Sequence, residues 1–311
     1  MRNKYVSIVG LLQAAAVLTI VFSIVTALPT DHFGVQLFTH FKLQYLVVSV
    51  LLCVALALYR RPLYVGGLLV AIGLNASLVI PWYVADSTPD SDRQLKLLNA
   101  NVLSSNIDHQ RLFDLLDAEA PDVVVLQEVS GQWLEALDSL RQSYPYSYAE
   151  AREGNFGIAL FSRMPFTSAT HIDSPPLGYP SIIATFDLEG TALRLVGTHP
   201  MIPTRKQSYA DRNEQLVMLA DLLKGHDGAQ VLVGDLNASM WDINYRSLEE
   251  ETGLRNARVG FGIVPTWPTF MPFAMIPIDH VLVSDDISVV ESRSGPRIGS
   301  DHLPLIVTIA L

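Results

Sequence analysis

Cysteine is almost absent from this sequence: Cys53 is the one thiol in 311 residues. That excludes an intrachain disulfide and any zinc site built on cysteine pairs, and a chain of this length can bury a large core without such staples. Charge is the second shortage, and it is local. Residues 5–28, 43–58 and 63–85 are uncharged runs of 24, 16 and 23 residues, and the first 85 residues hold five of the 21 Lys and Arg and one of the 31 Asp and Glu. With no Asp, Glu or Arg inside these runs, a proton or ion pathway through them is not expected. No internal repeat or low-complexity tract is visible.

Two of the runs are long enough to cross a hydrocarbon core of about 30 Å, and the middle one reaches that length by recruiting Phe41 and Tyr59. Three transmembrane helices are therefore expected, at about 5–28, 41–59 and 63–85. Arg2 and Lys4 precede the first, and Arg60 and Arg61 fill the turn between the second and third. Short basic loops stay cytoplasmic, so both sit inside, with Lys42 in the first loop weakening the bias slightly. Three spans that start inside finish outside. The expectation is an integral, multi-pass protein of the cell (inner) membrane whose carboxy-terminal domain faces the periplasm or the cell exterior. Val25-Thr26-Ala27 resembles a signal-peptide cleavage site, but the apolar stretch is longer than an h-region, and cleavage would leave the final side unchanged. Cys53, inside the second span, reads as a small apolar residue.

A polar linker is expected at 86–93, followed by a domain over 94–311. Residues 86–311 hold 16 basic against 30 acidic residues. Such a surface repels a polyanion unless a local basic groove offsets it, which disfavours nucleic acid as the partner. Short apolar runs of strand length (95–103, 122–127, 157–162, 181–187, 193–198, 230–233, 278–284, 304–309) alternate with helical patterns at 108–119, 132–142, 207–224 and 243–252. An α+β fold of two packed sheets flanked by helices is expected, with the Pro-rich stretch 264–277 as a long loop near the site.

Five of the apolar runs meet polar residues at one end, where a carboxylate needs a partner or a metal. Leu97-Leu98-Asn99-Ala100-Asn101 ends in an amide, and the run Val123 to Leu126 ends in Gln127-Glu128. Val231-Leu232-Val233 ends in Gly234-Asp235-Leu236-Asn237. Ile278-Asp279-His280 opens a strand, and Gly299-Ser300-Asp301-His302 precedes the last one. Converging on one edge, these would form a set of oxygen ligands with imidazoles beside it, which suits Mg²⁺ or Mn²⁺. Taken singly, Glu128 could cap a helix, and Asp235 and Asn237 could be turn formers.

Asn101, Gln127-Glu128, Thr198-His199, Gly234-Asp235-Leu236-Asn237, Ile278-Asp279-His280 and Ser300-Asp301-His302, in that order, resemble the motif series of the endonuclease/exonuclease/phosphatase superfamily. The resemblance covers about residues 94–311. It implies a four-layer α/β/β/α sandwich of the DNase I-like kind and hydrolysis of a phosphodiester or phosphomonoester with Mg²⁺ or Mn²⁺. It also implies Glu128, Asn101 and Asp301 as metal residues, and Asp235 and Asn237 as groups that orient water and a phosphoryl oxygen. His302 becomes the base or phosphate contact, held by Asp279, and His199 stabilises the transition state or protonates the leaving oxygen. Pro265-Thr266-Trp267-Pro268 with the anchor resembles a bacterial membrane-bound subgroup. Asn155 and Trp267 are weaker candidates for touching substrate, as are Arg205 and Lys206. His109, His171, His226 and His280 are expected to be structural, with His280 on the strand face opposite Asp279. A lipid headgroup or small phosphoester fits a membrane-held, acidic domain. An exported nuclease would need a groove from Arg152, Arg163, Arg205 and Lys206, and a silent membrane-bound scaffold would have no need of the full metal-and-imidazole set. The oligomeric state is open.

Overall fold

The computed structural model describes residues 7–85 and 93–311, and the chain divides into two compact units, Met1–Tyr83 and Val84–Leu311. Most of the expected linker, residues 86–92, and the start of the first expected span lie outside the described residues.

The first unit is helical: α1 (Ile8–Val25), α2 (Phe33–Thr39), α3 (Lys42–Leu58) and α4 (Pro62–Val79), the last prolonged by a 3₁₀ turn, Ile80–Tyr83. Ser7 caps α1 by accepting the Gly10 amide at 3.1 Å. Ala16, Leu52, Leu56 and Leu68 pack together from α1, α3 and α4. Around that small core the pattern is inverted relative to a water-soluble bundle. Leu11, Leu18, Leu51, Val54, Leu63, Leu69 and Val70 face outward, whereas Ser23, Ser49 and Asn75 are buried. Asn75 Nδ2 donates to Ser23 Oγ at 2.9 Å, joining α4 to α1 by an interhelical polar contact of the kind apolar surroundings favour.

Two helices, Ile8–Val25 and Pro62–Tyr83, are long and apolar enough to cross a membrane. The middle of the three expected spans differs. Its 17-residue helix α3 follows α2 at a bend of 69°, and only the bent pair taken together passes as a crossing. Lys42, expected in the loop, is instead the first residue of α3 and is buried. Its Nζ donates to Thr26 O at 2.7 Å and Thr26 Oγ1 at 2.6 Å. The carbonyls at the end of α1 have no helical partner, and an ammonium satisfies one of them.

The second unit contains β1 (Gln94–Asn101), α5 (Gln110–Glu119), β2 (Val123–Gln127), α6 (Gly131–Leu137), β3 (Tyr146–Glu150), β4 (Ile158–Ser162), β5 (Phe166–Ser174) and β6 (Tyr179–Leu188). It continues through β7 (Thr191–Thr198), α7 (Lys206–Leu223), β8 (Ala229–Asp235), α8 (Ile243–Thr252), β9 (Arg255–Asn256), β10 (Asp279–Val283), β11 (Ser288–Ser294) and β12 (Leu305–Ala310). Two six-stranded sheets result, ordered β11-β12-β1-β2-β4-β3 and β5-β6-β7-β8-β10-β9.

Side-chain alternation sorts each strand between two layers. Leu95, Leu97, Val123, Val125, Val231, Val233, Val281, Leu305 and Val307 fill the space between the sheets. Leu98, Ala100, Val124 and Leu126 face the other way, onto Leu112 and Leu116 of α5 and Trp133 and Leu137 of α6. Helix α7 is tied to the second sheet by Arg194 Nη1 to Leu222 O (3.1 Å) and Gln230 Nε2 to Leu223 O (3.0 Å), and α8 by Asn256 Nδ2 to Tyr245 OH (2.6 Å). The architecture is the α+β sandwich of helix, sheet, sheet and helix layers.

His280 points outward from β10, as alternation from Asp279 requires, and is structural. Its Nε2 donates to Ala238 O at 2.8 Å, and its Nδ1 accepts from Asn256 Nδ2 at 3.0 Å. Burial and the neighbouring Arg258 guanidinium hold it well below the usual histidine range. In the same network Tyr245 donates to Glu249 Oε1 at 3.0 Å, and burial pushes the Glu249 carboxyl up to about 7. A carboxyl whose pKa rises on folding binds more protons in the native state, so stability falls as pH climbs from about 4.5 to about 7. Glu249→Gln keeps an acceptor for Tyr245 and removes that penalty. Its melting temperature should match the parent at pH 4.5 and exceed it at pH 8 by the equivalent of about 1–2 kcal/mol; equal melts at both values would refute the account.

Candidate active site

The alternation that builds the inter-sheet core also builds the site. On β1 the inward positions run Leu95, Leu97, Asn99, Asn101; on β2, Val123, Val125, Gln127; on β8, Ala229, Val231, Val233, Asp235. Strand β10, antiparallel to β8, enters from the polar end, with Asp279 opposite Asp235. β1 and β2 run parallel, as do β7 and β8, so their carboxy-terminal ends reach the same edge. Each strand is apolar along its length and polar at that end.

Asn101 stands between two carboxylates: its Nδ2 donates to Glu128 Oε1 at 3.1 Å and to Asp235 Oδ2 at 3.2 Å. Glu128 Oε2 accepts the Ser104 amide at 3.0 Å. His302 Nδ1 donates to Asp279 Oδ2 at 2.8 Å, leaving Nε2 facing Asp235 Oδ2 at 3.6 Å. His199 Nε2 lies 3.5 Å from the same Asp235 oxygen, a distance of electrostatic contact, and both His199 ring nitrogens are buried without a hydrogen-bond partner among the described residues. Asn237 sits in the left-handed region (φ 49°), donates its amide to Asp235 Oδ1 at 2.9 Å and ties its Nδ2 to Pro200 O at 3.0 Å. Six expected residues, Asn101, Glu128, His199, Asp235, Asp279 and His302, are thus linked through direct contacts around Asp235, and Asn237 holds Asp235 from behind.

Asp301, Trp267 and Asn155 stand one step out. Asp301 Oδ2 accepts from Trp267 Nε1 at 2.9 Å, and the Trp267 ring lies 6.3 Å from that of His302. Asn155 Oδ1 accepts from Ser104 Oγ at 2.8 Å, which places it behind the loop that holds Glu128.

Electrostatics follow from burial and this crowding. Burial opposes charge on His302, but Asp279, Asp235 and Asp301 outweigh it and raise its pKa above the usual histidine value. His199 is raised in the same way by Asp235 and Glu128 against the effect of burial. Burial would raise Asp235, yet His302 and His199 draw it below the usual carboxylate range. No Lys or Arg among the described residues forms an ion pair with Glu128, Asp235, Asp279 or Asp301.

This donor set fits a divalent ion. Glu128, Asp235 and Asp279 are buried acids with no Lys or Arg paired to them among the described residues, and His199 lies beside them with both ring nitrogens lacking a hydrogen bond. Ligand atoms of Asp235, Asp279 and His302 lie within 4.8 Å of one another, close enough to hold an ion. One pair in that trio, His302 Nδ1 and Asp279 Oδ2, is already at hydrogen-bond distance, so the carboxylates left to hold an ion are those of Asp235 and Glu128, whose oxygens each accept one hydrogen bond and keep a second lone pair. Asn101 presents an N–H to both, while its Oδ1 accepts the Leu103 amide at 3.1 Å; it must turn over to act as a ligand.

Several residues, or the parts they play, escaped the sequence reading. Gln127 Nε2 donates to Asn99 Oδ1 at 2.7 Å, and Asn99 Nδ2 reaches Asp279 Oδ1 at 3.5 Å, a polar chain behind the His302–Asp279 pair. Two-residue spacing from Asn101 places Asn99 on the same face, and that is its one sequence signal. Ser300 Oγ donates to Asn101 O at 2.7 Å and accepts the His302 amide at 3.0 Å, joining β1 to the last motif. Buried Arg258 donates Nη2 to Asp279 O at 2.5 Å and Nε to Val264 O at 3.3 Å, fixing the start of the 264–277 loop. Phe156 stacks on Tyr179 (3.5 Å between centroids, 5° between planes) and lies 5.9 Å from the His199 ring. Gln127 and Ser300 stand within the motif series, which gave them no role of their own; Asn99, Arg258, Phe156 and Tyr179 have no motif. Two of the four basic residues considered for a nucleic-acid groove are engaged away from these carboxylates: Arg152 pairs with Glu150 at 3.1 Å, and the Arg163 guanidinium lies 5.1 Å from the centre of the Tyr144 ring.

Gly234 makes the close approach possible. A Cβ there would lie 2.0 Å from Thr198 O, on the neighbouring strand that leads into His199. Gly234→Ala should therefore push β7 and β8 apart at the site. A loss of stability on the order of 3 kcal/mol is expected, seen as a lowered melting temperature; a parental melt would show that the strands accommodate the methyl group.

A sandwich of this layering, with buried carboxylates and imidazoles gathered at one edge of its sheets, defines a class of phosphoesterase-like proteins. The sequence pattern of the Endonuclease/Exonuclease/phosphatase family matches residues 97–302, and the chain belongs to that family. No curated protein matches the chain by sequence. Among solved structures, D. rerio TDP2 complexed with single strand DNA product is similar at 19% identity and a TM-score of 0.62, covering 71% of this chain and 100% of that one. An endonuclease/exonuclease/phosphatase from Beutenbergia cavernae DSM 12333 is similar at 23% identity and a TM-score of 0.56, covering 70% and 72% of the two chains. The human Nocturnin catalytic domain with bound sulfate anion matches at 18% identity and a TM-score of 0.56, covering 71% and 96%. At these identities the likeness is one of fold.

Proposed function

We propose that the chain is a divalent-metal-dependent hydrolase of a small or lipid-headgroup phosphoester, held in the cell membrane by three spans with its second unit outside the cytoplasm. The observation that carries the reading is the His302–Asp279 pair at 2.8 Å, aimed through Nε2 at Asp235 beside Glu128. Glu128 and Asp235, with Asn101 turned over and Asp301 nearby, would hold Mg²⁺ or Mn²⁺, which supplies charge neutralisation at the phosphoryl oxygens and leaving alkoxide. Asp279 fixes His302 with its proton on Nδ1, so Nε2 is the atom that accepts a proton from water or donates to a phosphoryl oxygen. Asp235, steadied by the Asn237 amide, orients the attacking water. His199, buried beside Asp235, donates a hydrogen bond to a phosphoryl oxygen in the transition state or a proton to the leaving oxygen.

The membrane assignment rests on the apolar helices and their inverted polarity. Helix α3, packed with α1 and α4, serves as the third span, so that basic residues 60 and 61 stay cytoplasmic and the chain ends outside. A reporter active only outside the cytoplasm, fused after Leu311, should be active; activity from a cytoplasmic reporter alone would reverse the orientation.

A second reading, an exported nuclease, is favoured by the DNA product bound to the D. rerio relative and disfavoured by this domain's acidic surface. The test is hydrolysis by the full chain in detergent of bis-aryl phosphate, aryl monophosphate, plasmid DNA, sphingomyelin and glycerophospholipids, with Mg²⁺, Mn²⁺ or chelator. Chelator-sensitive turnover of a lipid or small ester is expected. Preference for plasmid DNA would establish the second reading, and no turnover of any member would favour a silent scaffold.

A further inference from the structure

The 14 residues 264–277 contain no charged side chain, although the domain around them is strongly acidic. At their centre Phe270, Met271 and Phe273 are 69%, 38% and 80% exposed. This exposure is not the slack of a loose loop. Ile276 O accepts the Thr266 and Trp267 amides at 3.0 and 3.1 Å, and Leu303 N donates to Thr266 O at 2.8 Å. Thr269 N donates to Asp301 O at 2.8 Å, and Thr269 Oγ1 to Ser300 O at 3.1 Å. A segment fastened at both ends holds a short 3₁₀ turn, Pro272–Ala274, out from the fold with its aromatic side chains in solvent.

Two neighbours extend this surface. Arg297 is exposed and donates Nη2 to Thr269 O at 2.6 Å, which sets a guanidinium beside the apolar tip. Ile107, 79% exposed, belongs to the loop whose Asn106 Nδ2 donates to Ile298 O at 3.0 Å. Apolar side chains next to a cation match the boundary between acyl chains and phosphate headgroups, where aromatic rings bury and guanidinium groups meet phosphate. Ten residues, 84–93, join the last helix to the first strand, a tether of at most about 35 Å. A bilayer carrying the helices is thereby kept at high effective concentration for the second unit.

We infer that Phe270, Met271 and Phe273 dock into the interface of a phospholipid bilayer, with Arg297 on the headgroups. The inference rests on the membrane-held phosphoesterase reading above. It adds how the site meets its substrate: Trp267, on the same loop, holds Asp301 and flanks His302, so docking the tip orients the site against the lipid surface.

The test uses the full chain carrying Cys53→Ser and one new cysteine, Phe273→Cys or, separately, Phe270→Cys, labelled with an environment-sensitive fluorophore. Leu177→Cys, at an exposed turn between β5 and β6, is the reference. Each is reconstituted in phosphatidylcholine–phosphatidylglycerol vesicles and quenched by doxyl-labelled lipid or by aqueous iodide. At positions 270 and 273 lipid quenching should be several-fold stronger than at 177, and iodide quenching several-fold weaker. Iodide access equal to that at 177 would overturn the inference, and so would shielding from both quenchers, which would place a second copy on the loop. Quenching reports docking whether or not any phosphoester is hydrolysed, so failure of the inference and of the hydrolase reading are separable. In an active preparation, Phe270→Ser with Phe273→Ser should lower turnover of vesicle-embedded ester relative to soluble bis-aryl phosphate about tenfold; an unchanged ratio would deny the loop a part in substrate access.

Discussion

Asp235→Ala is expected to lower kcat by about 10³-fold or more, and His302→Ala by a similar factor, with neither variant melting below the parent by more than a few degrees. Asp235 touches three of the five other residues of the centre: Asn101 at 3.2 Å, His199 at 3.5 Å and His302 at 3.6 Å. Its removal leaves the water unoriented and the two imidazoles without the charge that raises their pKa. His302→Ala removes the one imidazole with a fixed tautomer and a free Nε2. Both residues act on the same water, so the double variant should be no slower than the worse single one. Stability should survive because the centre concentrates like charge in a buried place, and deleting one carboxylate relieves repulsion as well as breaking contacts. Steady-state kinetics on the preferred substrate, with a thermal melt of each variant, decides the matter. Near-parental turnover in either single variant would remove that residue from the mechanism.

Glu128→Gln should weaken divalent-ion affinity by on the order of 100-fold or more and abolish turnover at limiting metal. The substitution keeps shape and the acceptor for Ser104 N but discards the charge. Glu128 also sits at φ 63°, in the left-handed region that side chains other than glycine rarely adopt. Such a conformation costs about 1–2 kcal/mol and persists where surrounding contacts fix it, often at a functional site. Here Asn101 and Ser104 hold the two carboxylate oxygens. The measurement is manganese binding by paramagnetic resonance, together with the melting temperature with and without Mg²⁺. An ion at 100 times its dissociation constant should stabilise the parent by about 2.7 kcal/mol and the variant hardly at all. Equal manganese binding by parent and variant would exclude Glu128 as a ligand.

The central strands are legible in the sequence because their side chains are buried on both faces, leaving unbroken apolar runs such as Val123 to Leu126 and Val231 to Val233. The four strands with no such signal, β3, β5, β9 and β11, are the four edge strands of the two sheets. An edge strand is open to solvent along one side and mixes polar with apolar residues, as Phe166–Ser174 does, so nothing local marks it. In the helical unit the sequence shows apolar length but not the break between α2 and α3. Nor does it show that Lys42 would leave the loop for the carbonyl end of α1, because that depends on where a helix 16 residues earlier finishes.

For the site, the sequence by itself determined which polar residues end the apolar runs and the face each occupies, since they fall in strand register and alternation is a local property. What only the tertiary structure decided is their mutual geometry. Asp279 meets His302 from the opposite sheet, Asn101 bridges Glu128 to an Asp235 that lies 134 residues further along the chain than Asn101 itself, and Ser300 joins the last motif to the first. Asn99, Ser300, Arg258 and the Phe156–Tyr179 pair act only through neighbours brought by sheet packing. Their roles depend on distances between segments far apart in the chain, which no local pattern encodes.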